Sequence, residues 1–291
     1  MLNLKAISYI IIIVSLMLVN LPSVQAKEES SRNQPANEIQ EIIKGGKLVV
    51  AMYSKDAPPF YYVNKNNQLV GLDVTLIKGF AELLGVQVEF DRSSKFLNDT
   101  VDMVENHKAD LAITKLSMTF KRATRVLFTE PYVNLHQSLL INRLALLKQL
   151  NGRSQEETIQ QLSGKIGVVA KSSYIEYARH FKNMEIVGYP TWSDAINAVY
   201  EGKITAAFRD DVEIKMILRD QPEKALTLLS VVLKDANDPK GIAVAMDHNK
   251  LKNLLNFYLR SININITADK VVNDYADLIK QIEQKINSQE H

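Results

Sequence analysis

Short apolar runs of strand character alternate with amphipathic helical stretches along this chain, and the alternation runs through twice. Glu38–Lys44 reads as a short helix stopped by Gly45-Gly46, and Lys47–Met52 as an apolar strand. Asp73–Leu84 sets Val74, Ile77, Phe80, Ala81 and Leu84 on one helical face, Gly85 ends it, and Val86–Phe90 alternates as a strand. Helix Leu97–Asn106, with Leu97, Val101 and Val104 inward, leads to buried strands at Asp110–Ile113 and Ser138–Ile141. Beyond the polar stretch Lys148–Gln161 the pattern restarts, with strands at Lys165–Ala170, Glu185–Gly188 and Thr205–Phe208 and helices near Tyr174–Phe181 and Ser193–Tyr200. Strand, helix, strand implies crossovers and parallel sheets, so the class is α/β. With 291 residues, 46% of them hydrophobic, the chain holds two such units, and no internal repeat marks them as copies.

Composition removes several chemistries. There is no cysteine, which excludes disulfides, thiol catalysis, Cys-ligated metals and a lipid-modified N-terminal cysteine. The five histidines, at 107, 136, 180, 248 and 291, lack the short helical spacing of a zinc-protease motif, so no metal and no cofactor are expected. Lys+Arg number 35 against Asp+Glu 33, without a basic run, so no nucleic-acid partner is expected. Residues 1–26 have the layout of a secretory signal peptide: Lys5, an apolar run from Ala6 to Val19, a break at Asn20 and Pro22, then Val24-Gln25-Ala26. The run is shorter than a spanning helix needs. Residues 27–37 are polar and without apolar periodicity, a disordered lead-in. An exported, unlipidated periplasmic protein is the expectation.

Between residues 109 and 132 a specific signature emerges. Ala109-Asp110-Leu111-Ala112-Ile113-Thr114-Lys115-Leu116-Ser117-Met118-Thr119-Phe120-Lys121-Arg122, then Phe128-Thr129-Glu130-Pro131-Tyr132, resembles the signature of periplasmic amino-acid-binding proteins, solute-binding protein family 3. Further matches in order are Pro59-Phe60, Gly71-Leu72-Asp73-Val74, Leu162–Val168, Glu201–Ala207 with Asp210, and Gly241–Val244. The resemblance implies a two-lobed, type II periplasmic-binding-protein fold of mostly parallel sheets flanked by helices, with two crossover hinge strands. Lobe 1 would comprise 38–136 plus 240–291, and lobe 2 residues 137–239. It implies a monomer that captures a small amino acid or related polar anionic solute between its lobes and delivers it to an ABC-transporter permease in the inner membrane.

The residue types suit that task. A zwitterion needs a cation for its carboxylate and an anion for its amine. Arg122 is fitted to the first through its planar fork of donors. Ser117 adds a hydroxyl and a backbone N–H, or caps a helix. Asp210, or with a small register change Asp211, is placed to accept from an ammonium across the cleft. Thr114 lies beside Ser117 in the signature, and by resemblance Ser173 and Ser172 offer N–H groups at the start of a helix in lobe 2. The chain departs from the family where aromatics are common, at Ala57 and Leu97; Phe96, Tyr53 and Tyr61 are either substitutes or core. Lysines stand where small residues or glycine are usual, at Lys115 and Lys171. These two either favour an anionic guest or point to solvent. Trp192 reads as packing of its helix onto the second sheet. Two alternatives use the same scaffold: a dehydratase-like enzyme, with Lys115, Lys171 or Glu176 as its acid or base, and a ligand sensor without transport.

Overall fold

Gly46 and Gly85, both at φ 69°, occupy left-handed backbone that a side chain rarely adopts, and they end the first two long helices where the sequence places glycine. The computed structural model describes residues 37–289. The expected leader, and the expected lead-in save for Asn37, lie outside the described residues. Helix α1 (Glu38–Gly45) precedes strand β1 (Lys47–Tyr53), the short pair β2 (Tyr62–Val63) and β3 (Leu69–Val70), and helix α2 (Leu72–Leu84). Strand β4 (Gln87–Ser94), helix α3 (Leu97–Glu105), strand β5 (Leu111–Ala112), the one-turn helix α4 (Phe120–Ala123) and strand β6 (Leu127–Phe128) follow. The long strand β7 (Val133–Asn142) then carries the chain into a second sheet.

The second unit continues with α5 (Arg143–Leu147), α6 (Gln155–Gln160), β8 (Gly164–Val169), α7 (Tyr174–Ala178), β9 (Met184–Tyr189), α8 (Trp192–Tyr200), β10 (Ala206–Asp210) and α9 (Asp211–Asp220). Strand β11 (Leu228–Lys240) returns to the first sheet, where β12 (Ala243–Val244) and helices α10 (Asn249–Ile262), α11 (Ala268–Asn273) and α12 (Tyr275–Asn287) complete the chain. Helix α6 falls inside the stretch read as merely polar. Ser154 and Glu157 form a reciprocal capping box there, a signal present in the sequence as Ser-Gln-Glu-Glu. Strand β7 is longer than the apolar run that marked it, because its polar first half is paired residue for residue with β11, from Val133 opposite Lys240 onward.

The two sheets share a plan. The first has the order β4-β1-β5-β12-β6, with β4, β1 and β5 parallel and β12 antiparallel to both neighbours. The second, β11-β7-β10-β8-β9, has β10, β8 and β9 parallel and β7 and β11 antiparallel. This is a two-lobed α/β protein, and β7 and β11 are the crossovers between lobes. Each parallel core is buried on both faces. Leu48, Val50, Leu111 and Ile113 pack with Ile77 and Phe80 of α2 and with Leu251, Leu255, Leu278 and Ile282 of the C-terminal helices. In the second lobe Ile166, Val168 and Phe208 face α7, while Leu140 and Ala207 face Ile196 and Val199 of α8. Among the described residues no helix is long and apolar enough to cross a membrane.

Candidate functional site

The strand ends of the two sheets and the hinge deliver an unusual set of buried charges to one place. After β5 the chain turns through Lys115, whose φ of 48° is left-handed backbone without the excuse of glycine. Asp73, in the first turn of α2, holds that turn. Its carboxylate accepts the Lys115 backbone N–H at 2.7 Å and the Tyr132 hydroxyl at 2.9 Å. Burial pushes the Asp73 carboxyl up to about 7, against the opposing effect of those two donors. Lys171, the other lysine that departs from the family, also sits at positive φ, 59°. Both departures therefore fall on backbone that favours glycine.

From this turn the Lys115 side chain, 4% exposed, crosses into lobe 2. Its Nζ lies 2.6 Å from Glu213 Oε1 and 3.0 Å from Asp210 Oδ2, and 5.1 Å from the centre of the Phe60 ring. Asp210 ends β10 and caps α9, accepting the Glu213 backbone N–H at 3.2 Å. Burial pushes the Lys115 ammonium down, but Asp210 and Glu213 outweigh it and keep it above its ordinary range. For Asp210 burial pushes up, and Lys115, Lys240 and Arg209 outweigh it, so the carboxylate stays ionised well below the usual range. Arg209 reaches the same pair, 3.6 Å from Glu213 and 3.9 Å from Asp210, with Trp192 beneath it.

A second buried pair closes the hinge side. Lys240, at the end of β11, bonds Asp238 and donates to Ser117 Oγ at 2.9 Å, and Tyr174 donates to Asp238 at 2.6 Å. Burial lowers the Lys240 ammonium despite Asp238 and Asp210. Ser117 is bridged to Lys240 in extended backbone, so it does not cap a helix. Thr119 does, accepting from the Arg122 N–H at 3.2 Å. Across the lobes, Ser173 Oγ lies 3.3 Å from Ser117 Oγ.

Arg122 is the exception in this cluster. It is 5% exposed, yet its guanidinium bonds neutral oxygens: Ser117 carbonyl at 2.8 Å, and Asn98 Oδ1 at 3.0 and 3.1 Å. Among the described residues no carboxylate lies within 4.0 Å of it, and burial lowers the guanidinium to about 10. Beside it is a cavity of about 30 Å³, lined by Asn98, Arg122 and Arg125 from one lobe and Ser172, Ser173 and Glu176 from the other. That is room on the order of two waters. A larger hollow of about 1140 Å³ is lined only by residues 137–237 and lies outside the cleft.

The sequence-selected residues thus fall into three groups. Arg122, Ser117, Ser173 and Asp210 meet at the lobe junction. Ser172 lines the cavity but turns its N–H and its hydroxyl to the Val169 carbonyl. Thr114 is spent within lobe 1, accepting the Tyr53 N–H at 3.1 Å, and Lys171 lies over the Phe96 ring at 3.8 Å. Trp192 packs on the second lobe's core, as its helix position suggests. Asn98, Glu213, Asp238 and Lys240 escaped notice because polar residues at strand and helix ends are ordinary on surfaces; nothing local distinguishes them. Away from the cleft, His107, Asp247 and His248 bring ligand-type atoms within 4.8 Å of one another, a grouping across two turns that single-helix spacing does not reveal.

Residues 48–278 match the model of the bacterial extracellular solute-binding proteins, family 3. The chain belongs to this family. Among curated members of similar sequence, the ABC transporter arginine-binding protein 1 of Escherichia coli is 24% identical over 74% of this chain and 84% of its own length. The membrane-bound lytic murein transglycosylase F of Saccharophagus degradans is 29% identical over 75% of this chain but only 41% of its own. The chain therefore spans about two fifths of that relative. Of solved structures, an amino acid ABC transporter substrate-binding protein from Streptococcus pneumoniae, bound to L-arginine, superimposes with a TM-score of 0.64 at 25% identity, covering 85% of this chain and 98% of that one. An ancestral amino-acid-binding protein described as a precursor of cyclohexadienyl dehydratase gives 0.64 at 22% identity, over 85% and 98%.

Proposed function

We propose that this family 3 protein is a monomeric, periplasmic receptor that captures a small amino acid or related polar anionic solute between lobes 38–136 with 240–291 and 137–239, and hands it to an ABC-transporter permease. The observation that carries the reading is Arg122: a cation nine-tenths buried at the junction of two hinged lobes, lining a small cavity and, among the described residues, without a carboxylate within 4.0 Å. An isolated buried charge is costly, and an anionic guest supplies the missing partner. Among curated relatives, an ABC transporter arginine-binding protein supports solute capture, and a histidine-binding periplasmic protein supports both capture and the compartment. Closure on the guest is the signal a permease reads.

The dehydratase-like alternative needs a group able to take a proton. Lys115 is held as an ammonium by two carboxylates and Lys171 lies over Phe96, which leaves the cavity-lining Glu176, in a half-exposed pair with Lys121 at 3.2 Å, as the one candidate base of the three. Thermal melting against a panel of amino acids and small carboxylates tests capture. At least one solute is expected to raise Tm with concentration as mass action requires, and Arg122→Met to weaken its binding 100-fold or more. A panel without any such solute, or an Arg122→Met protein that binds as well as wild type, removes the reading. Delivery is tested by uptake of that solute in cells lacking the gene, complemented with wild type or Arg122→Met; equal uptake in all three strains excludes it.

A further inference from the structure

The charges at the lobe junction do not balance in the way a zwitterionic guest requires. A guest bearing an ammonium needs a carboxylate in the cleft that is free to receive it. Asp210 and Glu213 are neutralised by Lys115 and Arg209 together. Asp238 is taken by Lys240 and the Tyr174 hydroxyl; its second oxygen is buried and unpartnered, but Asp238 does not line the cavity. Glu176, which does line it, pairs with Lys121 at the rim. Asp73 is enclosed behind the Lys115 turn, with both oxygens accepting from the chain. On the cationic side Lys115, Lys240 and Arg209 have these partners; of the other cations at the cavity, Arg125 is held by Asp102 and Glu105 and Lys121 by Glu176. Arg209 leaves its Nε buried without a hydrogen-bond partner but keeps two carboxylates within 4.0 Å; Arg122 alone among these cations has none.

Lys115 also has the position of a tethered guest. It starts in lobe 1, at a turn whose strained backbone Asp73 pins, and ends as an ammonium between two lobe 2 carboxylates, 4% exposed. It bridges the lobes by the same ion pair that a bound α-ammonium would make. An amino acid entering the cleft would bring a third cation, after Lys115 and Arg209, to the two carboxylates, leaving one of three buried cations without an anion.

We propose that the cleft is built for a small carboxylate lacking an α-ammonium group, with Lys115 supplying from the chain itself the cation that such a guest does not carry. The proposal rests on the solute-capture reading and narrows its ligand class. The guest's carboxylate takes Arg122 and the Ser173 side of the cavity, and the remainder of the molecule requires the lobes to part beyond the present 30 Å³. Specificity then comes from a filled subsite: the α-amino group is rejected because its place and its counter-ion are already occupied.

Calorimetric titration with matched pairs tests this: L-glutamate against glutarate, L-leucine against 4-methylpentanoate, L-phenylalanine against 3-phenylpropanoate and L-arginine against 5-guanidinopentanoate. For the pair that binds, the des-amino acid is expected to bind wild type at least 10-fold tighter. Lys115→Met, which frees Asp210 and Glu213, should reverse that order, and Lys115→Arg should keep it. An amino acid that binds wild type as tightly as its des-amino partner overturns the proposal and leaves solute capture standing, as does a Lys115→Met protein with the order unchanged. Binding of neither class by wild type overturns both. Should Lys115→Met fail to fold, the order in wild type decides alone.

Discussion

Arg122 and Lys115 come from the same short segment, are equally buried, and face the same lobe junction, yet their surroundings are opposite. Lys115 has two carboxylates within 3.0 Å, and Arg122 has only the oxygens of Ser117 and Asn98. A buried ion pair contributes little net stability, but removing one partner strands the other. The Lys115 side of the cleft is therefore electrostatically complete and resists change, whereas the Arg122 side is incomplete and open to a guest. On the proposed function, binding capacity sits where the protein has left a charge unanswered.

The sharpest way to break this contrast is to strip the anions from Lys115. Asp210→Asn with Glu213→Gln retains the helix cap, since asparagine caps well, but leaves a buried ammonium without a partner. A loss of about 3–5 kcal/mol in urea unfolding is expected. Adding Lys115→Met should recover most of it, and failure to recover would mean the three groups do not act as one unit. Next in size is the support beneath the Lys115 turn. Because the folded pKa of Asp73, about 7, lies above its ordinary 3.8, its contribution is full below pH 4 and is lost as pH rises through 7. Relative to Asp73→Asn, wild type should lose on the order of 2–4 kcal/mol between pH 4 and pH 8. Parallel unfolding curves for the two proteins across that range would show that the carboxyl is not desolvated.

Smaller effects sharpen the other half of the comparison. Arg122→Met removes an unpaired buried cation, so its stability should stay within about 1 kcal/mol of wild type or rise, in contrast to its effect on binding. A loss of 3 kcal/mol or more would show that Arg122 has a structural partner after all. Last is the rim, where Lys121 is 72% exposed against Glu176. Lys121→Ala should change stability by less than about 1 kcal/mol, and less still in high salt. A larger, salt-independent loss would place that pair inside the closed cleft.

The fold was legible because its signals are local and repeated. Glycines at 46 and 85, the apolar faces of α2 and α8, and the apolar strands β1, β8 and β10 each declare themselves within a dozen residues. Helix α6 was equally declared by its Ser154–Glu157 capping box, but that signal was obscured by the polarity around it. Strand β7 was half hidden because Asn134, His136 and Gln137 are polar; their partners lie about a hundred residues away on β11 and about seventy away on β10. The site divides in the same way. Arg122, Ser117 and Asp210 belong to runs of residues with recognisable spacing, and Ser173 to a turn before a helix. Lys240 and Asp238 do not, since a lysine two residues from an aspartate is commonplace on any surface.

By itself the sequence determined the two α/β units and the family, and singled out the guanidinium of the candidate site, because hydrophobic period, turn chemistry and motif spacing are properties of neighbouring residues. Tertiary structure alone decided which charges are spent and which is spare. Lys115 and Asp210 are 95 positions apart. Whether an ammonium meets a carboxylate or water depends on how two lobes close over a hinge, and desolvation, which sets the energetic weight of that meeting, exists only once they have closed.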